Sequence, residues 1–447
     1  MSEVDVSGAA QPPRPVESEA PHRPRLPPFL LRHVPPLTQR QWRVFGISTT
    51  AGFFDNYDLA LLSLALKQIQ HGLGIAEAHL GNMLSAIRLG YLTSLLISPL
   101  ADVFGRRRLL LYTIIGYTVF TALSAVAPHE RTFIGSQFMA RGFSGAEATV
   151  SLVILAEEVD AAVRGWAIGL QGAMAISGYG LAAMVFATIN IIPFGWRGLY
   201  ALALLPLILV IPLRRLLPES KRFERENLIG IRPTGILEPV FAMFRVYPGR
   251  LAMLVVVGFL NATGASPTSF FFPKYLQEAH FWSPGQVSSL IVFGGAIGIL
   301  GSIVGGRVSD LLGRRTAGAL FMACGPALTV WIYTTSSNVV ILVWVLWLFM
   351  YTAASTIMSA YSAELFPTSY RSSAASALVV AGTTGGALGL FAEGMLYGFA
   401  GSHWTAICYV STFWIIAPIV MFIFFPETAS RELEAISPEA AILQTPK

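Results

Sequence analysis

The chain has 447 residues, of which 54% are hydrophobic and only 12% charged. Soluble domains carry roughly 25% charged residues, so this composition excludes an ordinary soluble fold. The formal net charge of +5 does not point to nucleic acid, because the basic residues fall in short clusters between apolar stretches and form no continuous stripe.

Residues 1–41 are rich in proline, as in Gln11-Pro12-Pro13-Arg14-Pro15, and hold no apolar run suited to a cleaved signal; a disordered tail is expected there. Beyond it, twelve stretches are long enough to cross a hydrocarbon core, which takes about 20 helical residues. They are 42–66, 79–101, 108–127, 132–156, 166–189, 197–217, 250–276, 286–306, 317–336, 338–362, 372–399 and 403–425. Lipid offers the backbone no hydrogen-bond partner, so each must be a helix. Six precede the polar stretch 218–249 and six follow it, which predicts an N-terminal bundle (42–217), a linker, a C-terminal bundle (250–425) and a tail (426–447). The linker turns amphipathic near Ile236, which suits a membrane surface. Pro267 is expected to break the seventh span. Cys324 and Cys408 lie in apolar stretches, so neither a disulfide framework nor a metal site is implied.

Three motifs occur in both halves at nearly constant separation. Ala101-Asp102-Val103-Phe104-Gly105-Arg106-Arg107 returns as Ser309-Asp310-Leu311-Leu312-Gly313-Arg314-Arg315; Glu157 and Arg164 return as Glu364 and Arg371; Pro218-Glu219-Ser220 returns as Pro426-Glu427-Thr428. A repeat of that length marks a duplicated half-protein. Duplicated apolar halves are how secondary transporters are built, with the substrate site where the halves meet. The predicted fold class is therefore an all-α membrane protein of twelve transmembrane helices in two pseudo-symmetric six-helix bundles. Arg106, Arg107, Arg108, Arg164, Arg214, Arg215, Arg314, Arg315 and Arg371 all fall on the side shared with both termini, which predicts cytoplasmic termini.

Ionisable residues at bilayer depth cost at least roughly 2.5–3.5 kcal/mol at a helix centre and mark candidate sites. In the first span Asp55 and Asp58, three apart, share one helical face with Tyr57 between them. Two carboxylates so placed, away from bulk water, cannot both ionise cheaply, which is the chemistry of proton coupling. Arg88 stands well inside the second span, where its planar fork would hold an anionic solute or neutralise Asp55 or Asp58. In the fourth span Glu147 lies six residues after Arg141, nearly opposite it at 100° per residue, so Arg141 is expected to meet a carboxylate of the first or second span. Glu393 is the acid placed deep in the second half. Asn261, Thr263, Ser266 and Thr268, with Tyr275 and Tyr361, would line a cavity or serve as interhelix packing.

Residues 97–108 and 303–315 resemble the loop motif of the major facilitator superfamily, Arg141-Gly142 its fourth-helix arginine motif, and the two Pro-Glu-Ser/Thr sequences the half-ending motifs of its sugar-porter-like branch. The Asp55/Asp58 pattern is similar to that of its phosphate and organic-acid proton symporters. Where phosphate symporters carry an aspartate this chain has Glu147, which makes phosphate a poor substrate. Hexose is disfavoured too, because the seventh span opens on Leu260-Asn261-Ala262-Thr263 and lacks paired glutamines. The resemblance implies a conformational latch that closes the cytoplasmic face, formed by Asp102, Arg106, Arg107, Arg141, Glu157, Arg164, Asp310, Arg314, Arg315, Glu364 and Arg371, with the aspartates stabilising helix N-termini.

Together these features predict a carrier, not an enzyme, that moves a small organic solute, foremost an organic anion, by alternating access with proton symport. Asp55, Asp58 and Glu147 would carry the proton; Arg88, Tyr57, Asn261, Tyr361 and Glu393 would hold the substrate. A sugar or polyol symporter, an efflux antiporter and a non-transporting membrane sensor are the alternatives. No Gly-x-x-x-x-Gly-Lys-Ser/Thr loop is present, so no ATP chemistry is expected. No cofactor, metal or nucleic acid is expected either; the partners are the solute, protons and the bilayer, and a monomer in a prokaryotic cell membrane is the setting implied.

Overall fold

The computed structural model describes residues 35, 37–159, 161–202, 204, 243, 245–367 and 370–429. The outer parts of both expected tails, most of the expected sixth span, nearly all of the linker, and the side chains of Asp102 and Arg164 lie outside the described residues.

In chain order the helices are α1 (Gln39–Leu64), α2 (Leu66–Leu73), α3 (Leu80–Leu89), α4 (Ser94–Ile97), α5 (Leu100–Phe104), α6 (Arg106–Ala125), α7 (Glu130–Glu158), α8 (Ala161–Phe186), α9 (Trp196–Leu202), α10 (Pro248–Glu278), α11 (Pro284–Leu312), α12 (Arg314–Thr334), α13 (Val339–Glu364), α14 (Arg371–Ala400), α15 (His403–Trp414) and α16 (Ile416–Phe424). Ten segments among the described residues are long and apolar enough to cross a membrane. α1 is as long as the others, with Thr38 closing a capping box at its start, but it carries the acid pair in its middle.

Two expected spans are subdivided. The second runs through α3, a tight turn at Gly90–Thr93, α4 and α5. The twelfth breaks between α15 and α16 at Ile415. Pro418 lacks the N–H that would bond the carbonyl of Trp414 four residues earlier, so the ladder lapses there. The seventh span behaves in the opposite way to expectation: α10 continues unbroken through both Pro267 and Pro273. Pro273 frees the carbonyl of Ser269, and that carbonyl accepts from the Ser63 hydroxyl of α1 at 3.4 Å. Ser63 also donates to the next carbonyl, Phe270, at 3.0 Å. A freed carbonyl in a membrane helix is tolerated when a neighbouring helix supplies the donor.

The two halves meet along three seams: α3 against α14, α8 against α11, and α1 against α10. Their buried apolar residues fall into two clusters. One runs through the second half and takes in first-half residues near the end opposite the Gly-Arg-Arg loops, among them Leu61, Leu64, Ile69 and Leu80. The other, from Leu37 to Ala167, is confined to the first half at the Gly-Arg-Arg end. Among the described residues the halves share a core at one end only. The described residues are consistent with the twelve-span, two-bundle architecture, seen with the bundles joined at the end away from the repeated loops.

Candidate functional site

α1 and α7 cross so that their polar faces meet inside the first half. Arg141 Nη2 donates to Asp58 Oδ2, with both side chains almost fully buried. The same guanidinium reaches Gln137 Oε1 at 3.2 Å, and Gln137 Nε2 donates to Ser124 Oγ of α6 at 3.1 Å. This chain of contacts fixes the guanidinium between three helices. Breaking a buried pair by removing one partner typically costs about 3–5 kcal/mol, because the remaining charge is stranded. Arg141 therefore belongs to the middle of the bundle and not to the latch at the repeated loops, where sequence resemblance had put it.

One turn further along α7, Ser144 donates to Asp55 Oδ1. Another turn on, Glu147 is completely buried, and neither of its oxygens has a hydrogen-bond partner among the described residues. Asp55 is close enough to interact with it electrostatically. The two aspartates of α1 thus have different surroundings: Asp58 is locked to an arginine, while Asp55 rests on a hydroxyl beside a partnerless glutamate.

Arg88 lies on α3 at the seam between the halves. Its Nη2 makes one long contact, 3.4 Å, to the carbonyl of Gly382 on α14. Its Nε is buried without a hydrogen-bond partner, and among the described residues no carboxylate pairs with it. Tyr91 and Tyr351 stand near the guanidinium, one from each half. Of the two uses the sequence left open for Arg88, neutralising Asp58 is taken by Arg141.

The remaining sequence-derived substrate residues sit elsewhere. Tyr57 is buried in the first half with its hydroxyl donated to the Leu199 carbonyl at 3.3 Å. Tyr361 is buried at the Gly-Arg-Arg end and donates to the Pro426 carbonyl at 3.2 Å. Asn261 Oδ1 accepts from Trp414 Nε1 at 3.0 Å. Glu393 lies at the opposite end against His403, 2.5 Å away. Thr263, Thr268 and Tyr275 bond carbonyls of the second half, so they act as packing.

At the Gly-Arg-Arg end the repeated motifs converge, but within each half. Arg106 pairs with Glu157 at 2.7 Å in the first half. In the second, Arg314 pairs with Glu364 at 2.7 Å and with Asp310 at 3.2 Å, and Arg314 Nη1 donates to Ser309 Oγ at 2.9 Å. These contacts tie neighbouring helix ends inside one bundle. The N-terminus of α12 is not capped by Asp310. Glu427 takes that place, accepting from the amides of Arg314 at 2.7 Å and Arg315 at 3.2 Å, while Thr428 donates to Glu364 at 2.6 Å. Asp310 precedes the turn at Gly313 and lies largely exposed beside Arg314. Arg315 lies over the Phe422 ring, and Arg371 pairs with no carboxylate among the described residues. Sequence reasoning saw the Pro-Glu-Thr repeat without finding this job for it. It also missed Arg40, whose guanidinium makes a two-point contact with Glu158 at 2.8 and 2.9 Å.

The profile of the Major Facilitator Superfamily matches residues 49–347 and 254–441. A probable 4-methylmuconolactone transporter of Cupriavidus pinatubonensis is 25% identical over 91% of this chain and 96% of its own length. A cis,cis-muconate transport protein of Acinetobacter baylyi is 25% identical over 78% of this chain and 86% of its own. The crystal structure of a D-xylose-proton symporter superposes with a TM-score of 0.72 over 87% of this chain and 99% of that one, at 18% identity. With two duplicated bundles of membrane helices and a profile match over most of its length, the chain belongs to the Major Facilitator Superfamily and is a multi-pass membrane transporter.

Proposed function

We infer that this transporter is a secondary carrier of a small organic anion, moved together with protons by alternating access. The observation that carries the reading is a pair of uncompensated groups of opposite sign at membrane depth. Among the described residues, Arg88 is a cation at the seam without a carboxylate partner and Glu147 is a carboxyl in the first half without a donor. Neither satisfies the other. An anionic solute completes the first and a proton the second, and leaving such groups bare in a low-dielectric interior is costly. The organic-acid and lactone names of the two relatives agree with this substrate class.

In this reading Glu147 and Asp55 exchange the proton and Ser144 orients Asp55. Asp58 is released from the coupling role the sequence gave it and holds Arg141 in register. Arg88 takes the anion's carboxylate, since a guanidinium offers two parallel donors to such a group. Tyr91 and Tyr351 interact with it electrostatically, one from each half, so that binding draws the bundles together. In this reading the Gly-Arg-Arg end, and with it both termini, faces the cytoplasm of a prokaryotic cell, which the excess of arginine in its short loops supports. The bundles are then 42–217 and 250–425, joined by the 218–249 linker, and the conformation described is closed to the outside.

The test is uptake by the purified chain in proteoliposomes, across a panel of carboxylates, sugars and phosphate, with and without an imposed pH gradient. Accumulation of a carboxylate that needs the gradient, and that Arg88→Gln weakens by raising KM, is expected. Gradient-driven accumulation of a neutral sugar, or carboxylate uptake indifferent to Arg88, overturns the reading.

A further inference from the structure

Five ionisable side chains form a continuous set of contacts across the seam at the end away from the Gly-Arg-Arg loops. Glu77, on the turn before α3, is the first-half member. Its carboxylate accepts from Lys274 Nζ at 3.1 and 3.2 Å and faces His403 Nε2 at 2.9 Å. Lys274 also pairs with Glu278, one turn along α10, at 2.7 Å. Glu393 of α14 faces the other imidazole nitrogen, Nδ1, at 2.5 Å. Lys274, His403 and Glu393 are buried, whereas Glu77 and Glu278 are partly open to solvent. Phe271 and Tyr397 hold the imidazole between them, with centroids 4.8 and 4.5 Å away. The second oxygen of Glu393 is buried without a partner and points at Gly81 of α3.

The hydrogens in this chain can be counted. A neutral imidazole has one N–H and one lone pair. Here both ring nitrogens stand at hydrogen-bond distance from carboxylate oxygens, and a lone pair cannot face another lone pair. Two hydrogens are therefore needed: an imidazolium between two carboxylates, or a neutral ring with one protonated carboxyl. In either form the chain holds one proton more than a neutral ring and two carboxylates. His403 is the first residue of α15, and the positive end of that helix opposes charge on the ring. Two charge-assisted hydrogen bonds outweigh that single opposing dipole. The other groups around it do not alter the count. Lys274 and Glu278 offset each other on α10, and Tyr397 faces the ring from α14. His79 is 3.7 Å from Glu130 on the first-half side, and Lys67 is occupied by the Gln277 carbonyl.

The geometry points to Glu77–His403–Glu393 as a proton-binding gate, which takes up one proton from the water on that side as the halves close and returns it when Glu77 withdraws. The gate is distinct from the acids of α1 and α7, and it rests on the alternating-access reading above. Because Glu77 alone comes from the first half, opening breaks its contacts with Lys274 and with His403 at once. The His403–Glu393 contact survives opening, and a neutral ring donating its single N–H satisfies it. Closure and protonation are thereby linked: lowering pH favours the closed form, by up to about tenfold per pH unit in the closed-to-open ratio while one proton separates the two forms.

The experiment is a distance measurement across the gate by double electron–electron resonance, on the full chain in lipid nanodiscs. Spin labels are placed at Ala78→Cys and Ala279→Cys, both exposed, with Cys324 and Cys408 replaced by serine. Between about pH 5 and about pH 9, a range that brackets the unperturbed imidazole, the long-distance population is expected to grow as pH rises. His403→Gln, which keeps one donor and one acceptor but cannot titrate, is expected to flatten that response; Glu393→Gln provides the same result should the first variant not fold. In a Glu147→Gln background a pH response is expected to persist, because the gate titrates without that acid, and its loss on adding His403→Gln separates this gate from the transport site. A distance distribution indifferent to pH in the parent chain, an undiminished response in both gate variants, or a response abolished by Glu147→Gln would each overturn the proposal.

Discussion

Gly313 joins α11 to α12 with φ 90° and ψ 145°, and its counterpart Gly105 sits at φ 92° and ψ 140°. This part of the backbone map is essentially reserved for glycine, and a side chain there costs about 1–3 kcal/mol. At Gly313 a second cost is added, because a Cβ would lie inside contact distance of the Glu427 carboxylate that caps α12. Displacing a capping acceptor costs about 1 kcal/mol. Gly313→Ala is therefore expected to lose about 2–4 kcal/mol, read from reversible unfolding of the purified chain in mixed micelles. Glu427→Ala alone removes the cap and loses about 1–2 kcal/mol, the upper end because a carboxylate at a helix N-terminus also meets the dipole. In the double variant the cap cannot be lost twice, so the combined loss falls short of the sum by about 1 kcal/mol. Strict additivity would show that Gly313 and Glu427 do not act on the same helix end. A loss at Gly313→Ala below about 0.5 kcal/mol, the size of an ordinary surface change, would show that the turn is not strained by a side chain.

Four further outcomes follow from the same coordinates. Asp58→Asn leaves the Arg141 guanidinium buried without its carboxylate and should lower stability by about 3–5 kcal/mol, while adding Arg141→Gln should recover much of that; thermal unfolding of the single and double variants decides, and equal losses would refute the pairing. Glu147→Gln removes no hydrogen bond among the described residues, so stability should stay within about 1 kcal/mol, yet gradient-driven accumulation should vanish while exchange of labelled for unlabelled solute survives. Arg88→Gln loses only one long contact and should unfold like the parent, but its KM for the transported anion should rise at least about tenfold, as for a lost charge-assisted contact; an unchanged KM counts against the site. Gly81→Val drives a side chain into the Leu390 carbonyl and the Gly394 amide of α14. The halves should then fail to close at that end, seen as faster labelling of Ser63→Cys from that side than in the parent background.

How much of this was legible in the sequence depends on whether the relevant contact is local, duplicated, or neither. The spans are local: continuous apolar runs force helices in lipid, and ten of the twelve appear as membrane-length segments among the described residues. Even here a proline misleads. Pro267 reads as a breaker, yet α10 runs straight through it, and the carbonyl freed by Pro273 is served by Ser63 from a helix 206 residues away. The duplicated motifs were visible because they occur twice, but duplication hides the pairing. Arg106 has two equivalent candidates, Glu157 and its repeat Glu364, and a latch between halves and a brace within one half predict the same residues. Only the fold shows that each arginine takes the glutamate of its own bundle. Helix phase gave Arg141 a partner somewhere in the first two spans, but the relative register of α1 and α7, which no single-sequence period contains, selected Asp58.

The contacts that sequence reasoning missed outright are those that matter most for motion. Glu77 and His403 are 326 residues apart, and of the whole gate only the Lys274–Glu278 spacing is readable on one helix. Contacts inside a bundle, such as Arg314–Glu364 and Asp58–Arg141, need not break when two rigid bundles rock, so they can be buried and strong. A contact between bundles must be made and lost in every cycle, and a strong permanent ion pair there would trap one state. The set built on Glu77 meets that demand by being partly solvated and conditional on a proton, which lets water and pH dissolve it. A carrier whose internal braces are permanent and whose seam is titratable spends its conformational freedom on one coordinate, the tilt between its halves. Stiffening the seam without touching the transport site, as a bulky residue at Gly81 would loosen it, should therefore change the rate of exchange between states while leaving solute affinity within each state as it was.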